Sequence, residues 1–89
     1  MSLYEITHDD GAGTARSAYR QQLPAAKRLA RLWAYERLRA SALLDRPIAV
    51  NTLNAIEAWD GASFMTVVDK GSFGRITLER LYGVFNSGR

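Results

Sequence analysis

The chain has 89 residues, 47% of them hydrophobic, with two tryptophans, no cysteine and a net charge of +3. That length makes a single domain, 1–89, in which one small core carries the stability. The lack of cysteine excludes disulfides, thiolate chemistry and the usual zinc frameworks, and no apolar run approaches the roughly 18 residues of a membrane span.

The charge is segregated along the chain. Residues 1–13 form an acidic N-terminal arm with Glu5, Asp9 and Asp10. Its first ten residues, MSLYEITHDD, lack the basic start of a signal peptide, so a soluble, cytoplasmic protein is expected. Residues 3–7 alternate weakly, as a short strand or an ordered arm would. His8 to Gly13 is a polar break in which His8, Asp9 and Asp10 read as loop polarity, because adjacent residues on a flexible segment rarely converge on a metal. Gly11-Ala12-Gly13 lacks the third glycine and the strand unit of a phosphate loop. Thr14 then caps a predicted short helix over 15–22.

Residues 14–46 read as a basic helical arm. Between residues 11 and 50 lie Arg16, Arg20, Lys27, Arg28, Arg31, Arg37, Arg39 and Arg46, opposed only by Glu36 and Asp45. Pro24 suits the first turn of a helix, and the spacing predicts a helix from there to about Leu44. Leu29, Leu32, Trp33, Ala40, Leu43 and Leu44 recur at three- and four-residue intervals and form its expected inner stripe. Lys27, Arg28, Arg31 and Arg39 project from the other side, with Tyr35 and Leu38 among them. Glu36 falls near the middle of the apolar stripe, where a carboxylate needs a partner. A helix N-terminus or an arginine from the C-terminal half is expected to supply it. Arg46-Pro47 ends the helix.

A second helix is predicted over 51–59, with Leu53, Ile56 and Trp59 inward, followed by a turn at Asp60-Gly61. Residues 62–70 fit two patterns. A helix capped by Ser63 would bury Phe64, Val67 and Val68. A strand would use the alternation of Phe64, Thr66 and Val68, with a hairpin turn at Asp69-Lys70-Gly71. The helix is the preferred reading, since it completes a core of Leu53, Phe64 and Leu81, the last packing with Trp33. Leu78, Leu81, Tyr82 and Phe85 then form the stripe of a C-terminal helix capped by Thr77.

Within the last part of the domain, residues 48–86, the stretch from Ile48 to Phe85 carries a resemblance. Ile48 to Leu53 looks like the opening of a helix-turn-helix, and Asp60-Gly61-Ala62-Ser63 looks like its turn. Asp69-Lys70-Gly71 looks like the close of a recognition helix, and Ile76-Thr77-Leu78-Glu79-Arg80-Leu81 like the beginning of the last helix. Together they resemble the later part of Cro/lambda-repressor-type (Xre-like) helix-turn-helix domains. The resemblance implies a mainly α fold and a DNA-binding transcriptional regulator. Its base-facing surface would be Ser63, Thr66 and Lys70, with Met65 among them. The clustered charge of the Pro24–Leu44 helix independently suggests phosphate contacts from Lys27, Arg28, Arg31 and Arg39, with Tyr35 packing against sugar or base. The alternative fold is α+β and winged-helix-like, with a hairpin at 63–77.

The alternative function is a non-enzymatic protein–protein interaction module, a small inhibitor or adaptor of the kind mobile elements encode. Its basic helix would dock on an acidic protein surface. A homodimer is compatible with either reading. Membrane binding is not expected, because Leu29 and Trp33 are needed for the core. No nucleophile–base pair, metal cluster or cofactor loop stands out, so neither an enzyme nor a cofactor is expected.

Overall fold

The first strand is built on a period of two. Tyr4, Ile6 and His8 are buried while Glu5, Thr7 and Asp9 point the other way, which defines β1, Tyr4–Asp9. The computed structural model describes residues 2–11, 13–62, 64–69 and 74–81. Next comes β2, Ala15–Arg20, followed by α1, Leu23–Ala40, and α2, Pro47–Ala58. Strands β3, Phe64–Asp69, and β4, Gly74–Arg80, complete one antiparallel sheet of order β2-β1-β4-β3. The fold is therefore α+β, not mainly α.

Two predicted helices are strands, and so is the start of a third. Residues 15–20 pair with β1 in a register that sets Tyr4 against Arg20 and Asp9 against Ala15. Thr14 does not cap a helix: its N–H donates to the Asp10 carboxylate at 3.2 Å, and Gly11 N–H donates to Asp9 Oδ1 at 2.9 Å. These short-range bonds close the β1–β2 hairpin. Residues 64–69 form β3 rather than a recognition helix, and 74–80 form β4 rather than the start of a last helix. β-branched Thr66, Val67, Ile76 and Thr77 favour strands locally, and β1 supplies the long-range partner for β4. Ser63, Lys70, Tyr82 and Phe85 lie outside the described residues, as does the Lys70-Gly71 part of the expected turn.

Both helices pack on one face of the sheet, α1 over β1, β2 and β4, and α2 against α1 and β3. Ile6, Ile76 and Leu78 from the two central strands meet Ala26, Ala30, Trp33, Ala34 and Leu38 from α1 and Ala49 and Ile56 from α2. Trp59, just after α2, meets the Tyr4 ring edge-on at 5.9 Å and 83°.

The inner face of α1 is rotated from the predicted one. Leu38, expected among the charges, is fully buried, whereas Leu32 is 52% exposed and Ala40 and Leu44 are also exposed. Alanines 26, 30 and 34 explain the rotation. They contribute little hydropathy, but their small side chains let the helix axis approach its neighbours closely. The same rotation takes Glu36 out of the core: it is exposed and pairs with Arg16, at 3.3 Å, from the N-terminal half of the chain. Leu81 is only half-buried, so the expected shared core with Trp33 is replaced by Leu78.

Helix α1 ends in a Schellman arrangement. Leu43 N–H donates to Leu38 C=O at 2.8 Å and Ala42 N–H to Arg39 C=O at 3.1 Å. Ala42 takes the left-handed position at φ 58°, where a non-glycine residue costs about 1–2 kcal/mol. Leu43, partly buried, packs against the same core as Leu38 and secures the turn.

Among the described residues no helix lies over the opposite sheet face. Register sets Ser17, Thr7, Thr77 and Thr66 side by side across all four strands, with 3.2 Å between the Thr7 and Ser17 hydroxyl oxygens. In a neighbouring row Glu5 stands directly opposite Glu79, a like-charge pair that weakens a ladder. The Tyr19 hydroxyl donates to Glu5 Oε2 at 2.9 Å from the other side.

Truncating Leu38 to Ala is expected to cost about 2–5 kcal/mol, and Leu32 to Ala less than about 0.5 kcal/mol, in urea unfolding. Equal losses would mean that the helix is rotated as the hydropathy pattern alone suggests.

The Glu5 hydrogen bond, followed by the Glu5 charge, raises the Tyr19 phenol above its ordinary value of 10.0. A raised folded-state value means that this bond stabilises the fold below the unfolded value and is lost as pH rises through the folded one. An alkaline titration of the Tyr19 ring resonances should therefore run late in the wild type. In Glu5→Gln it should return towards the ordinary range, and an unchanged midpoint would refute the coupling.

Candidate functional site

Rotating α1 brings a mixed stripe to its outer face. Arg28, Leu32, Tyr35 and Arg39 follow one another at intervals of four, three and four residues, one line along a helix. Leu32 is 52% and Tyr35 46% exposed. Arg31 lies beside them and leans towards α2, where its Nη1 reaches Glu57 Oε1 at 3.0 Å. Lys27 Nζ reaches Glu57 Oε2 at 3.6 Å with most of its side chain covered, so the stem packs while the ammonium stays at the surface.

Two cations thus share one carboxylate. Among the described residues neither Arg28 nor Arg39 has an ion pair. The seam between the helices opens into two shallow hollows. One, of about 290 Å³, is lined by Leu23, Pro24, Lys27, Arg28, Arg31 and Glu57. The other, of about 270 Å³, is lined by Arg28, Arg31, Leu32, Tyr35 and Leu53. Arg28 and Arg31 belong to both. Val50 on α2 adds a further exposed apolar side chain.

The expected site residues do not form one surface. Lys27, Arg28, Arg31 and Arg39 share the outer side of α1. Thr66 lies in β3 on the sheet face opposite α1 and α2, in register with Thr77. Met65, expected beside it on a base-reading surface, is partly buried against the core. Ser63 and Lys70 lie outside the described residues. With β3 in place of a recognition helix, the helix-turn-helix surface does not form.

A second polar cluster went unrecognised in the sequence. His8 is buried at 4% exposure in β1, not on a flexible loop, and Arg16 is its partner across β1–β2. The Arg16 guanidinium lies 4.2 Å from the Trp33 ring centroid and bonds Glu36. His8, Asp10, Thr14, Arg16, Glu36 and Arg37 line a cleft of about 380 Å³ between the hairpin and the C-terminal half of α1. Only the hairpin register brings them together, and a helix over 15–22 hid it.

Among the described residues no group of three or more His, Cys, Asp or Glu could hold a metal, and no helix is long and apolar enough to cross a membrane. Comparisons with protein-family models, curated proteins and solved structures find no match.

Proposed function

We propose that this protein is an interaction module whose outer α1 face docks on an acidic protein segment that also carries apolar side chains. The observation that carries this reading is the exposure of Leu32 and Tyr35 between Arg28, Arg31 and Arg39. Tyrosine and arginine are the residue types enriched at protein interfaces, and truncating them is often costly to binding. The arginines offer fixed donors to carboxylates, while Leu32 and Leu53 offer a shallow apolar seat beside them. The stripe from Arg28 to Arg39 spans about 16 Å along the helix axis, which suits a short segment and a transient complex rather than a permanent interface.

Nucleic acid is the competing partner, because the same arginines would meet phosphates. Phosphate contact makes no use of exposed Leu32 and Val50, and the described residues contain no helix at 63–70 to read bases. The apolar half of the face therefore favours a protein.

The test is a paired titration at low salt, followed by amide shifts. One probe is a synthetic peptide alternating glutamate with leucine and phenylalanine; the other is random-sequence duplex DNA. The peptide is expected to perturb Arg28, Arg31, Leu32 and Tyr35, and Leu32→Ala or Tyr35→Ala should each weaken it about tenfold, or about 1.4 kcal/mol. Tight DNA binding that is indifferent to those two changes but lost in Arg28→Ala/Arg31→Ala would replace the proposal with a nucleic-acid partner.

A further inference from the structure

The sheet face opposite α1 and α2 is complementary in charge to the outer face of α1. Register lines up Tyr19, Glu5, Glu79 and Phe64 across the four strands, so two carboxylates stand side by side between two exposed aromatic rings. Arg75, the one cation on this face among the described residues, stands opposite Asp9 and offsets it. Glu5 accepts the Tyr19 hydroxyl at 2.9 Å, whereas the Glu79 carboxylate has neither a hydrogen bond nor an ion pair among the described residues. Like charges directly opposite weaken a ladder, and a cation brought against the pair relieves that repulsion.

Ala26, Ala30, Ala34 and Leu38 turn the buried side of α1 towards the sheet, so Arg28, Leu32, Tyr35 and Arg39 face away from it. The basic face and the acidic face therefore lie on opposite sides of the molecule, and one copy cannot fold its own face onto the other. A two-fold dimer through either face would set arginine against arginine or glutamate against glutamate. Unlike faces meet only in a head-to-tail contact between copies.

We propose that the outer α1 face of one copy docks on the acidic, aromatic sheet face of a second, so that copies stack head to tail. This rests on the docking face proposed above and names its acidic, apolar-bearing partner surface as the protein's own sheet. The row from Tyr19 to Phe64 crosses three strand spacings, about 14 Å, which is close to the span of about 16 Å from Arg28 to Arg39. Arginine suits both parts of that row, because its fork engages a carboxylate and its plane stacks on an aromatic ring. Tyr19 and Phe64 also offer apolar surface to Leu32 and Tyr35.

Sedimentation of the wild type at low salt tests this. The average mass is expected to rise with protein concentration and to pass that of a dimer, because each docked copy keeps one free face. The contact is small, so a Kd on the order of 0.1 mM is expected. About 0.5 M salt should return the protein towards monomer, since screening then acts within a few ångströms. The sheet-face variant Glu5→Gln/Glu79→Gln and the helix-face variant Arg28→Ala/Leu32→Ala should each associate at least about tenfold more weakly. Both leave the core untouched: the first removes a like-charge pair, and the second alters exposed side chains only. Mixed, the two variants retain one intact face of each kind and should form a one-to-one complex that grows no further. A wild type that stays monomeric well above that Kd, that stops at a dimer, or that associates while the mixed variants do not would overturn the proposal. The acidic peptide reads the helix face alone. Peptide binding by a monomeric wild type would therefore sink the stacking and leave the docking face standing, whereas loss of both would remove the reading on which the stacking rests.

Discussion

The pairing of β1 with β4 is the constraint on which the rest of this structure depends. It brings residues 4–9 against residues 75–80 and joins two hairpins, each with one strand of its own at an edge, into a single sheet. A lone hairpin is marginal in water, and a third and fourth strand with a covered face are what give it stability. The joined central strands place Ile6, Ile76 and Leu78 in one fully buried patch, and α1 and α2 close over it. The approach is close enough that Gly74, at φ +82°, has no room for a Cβ against the carbonyl of Asp9 and the backbone of Asp10. Here glycine is required twice, by conformation and by space.

The two faces of the sheet follow from that pairing. Helix α1 lies over one face and turns its alanines inward, which leaves Arg28, Leu32, Tyr35 and Arg39 outward. The other face keeps the row of hydroxyls and the Glu5–Glu79 pair. The arginines therefore coincide with exposed Leu32 and Tyr35 on the helix side, while on the sheet side the opposed carboxylates are flanked by exposed Tyr19 and Phe64. The hairpin, meanwhile, carries Arg16 over the flank of α1, where it covers Trp33 and engages Glu36. That single arginine ties the first hairpin to the helix and forms one wall of the cleft in which Arg37 is held.

Much of the helical content was legible in the sequence. Pro24 marks the beginning of α1 because proline fits a helix's first turn, and the weak alternation at 3–7 is compatible with β1. Pro47, expected only to end the first helix, in fact opens α2, ahead of the predicted start at Asn51. The strands from 15 to 20 and from 64 to 80 were harder, because their partners lie far away in the chain and strand preference depends on such neighbours. For 64–69 the alternation of Phe64, Thr66 and Val68 carries the strand pattern openly, while the resemblance to helix-turn-helix domains implies a helix. In α1 the basic face was visible as a run of Lys27, Arg28, Arg31 and Arg39. Its companions Leu32 and Tyr35 were divided between core and surface, since hydropathy favours leucine over the three alanines that make the contact. The cleft was not legible at all: it depends on a hairpin register that places Arg16 opposite His8.

The most direct measurement is the set of through-space proton contacts between residues 4–9 and 75–80 in solution. The pairing gives cross-strand contacts for Ile6 with Leu78, Thr7 with Thr77 and His8 with Ile76, together with slow exchange of the amides shared by the two central strands. Sequential amide–amide contacts of helical type from Ile76 to Leu81, with no contact to residues 4–9, would contradict the joined sheet and, with it, the helix orientation and both proposed surfaces.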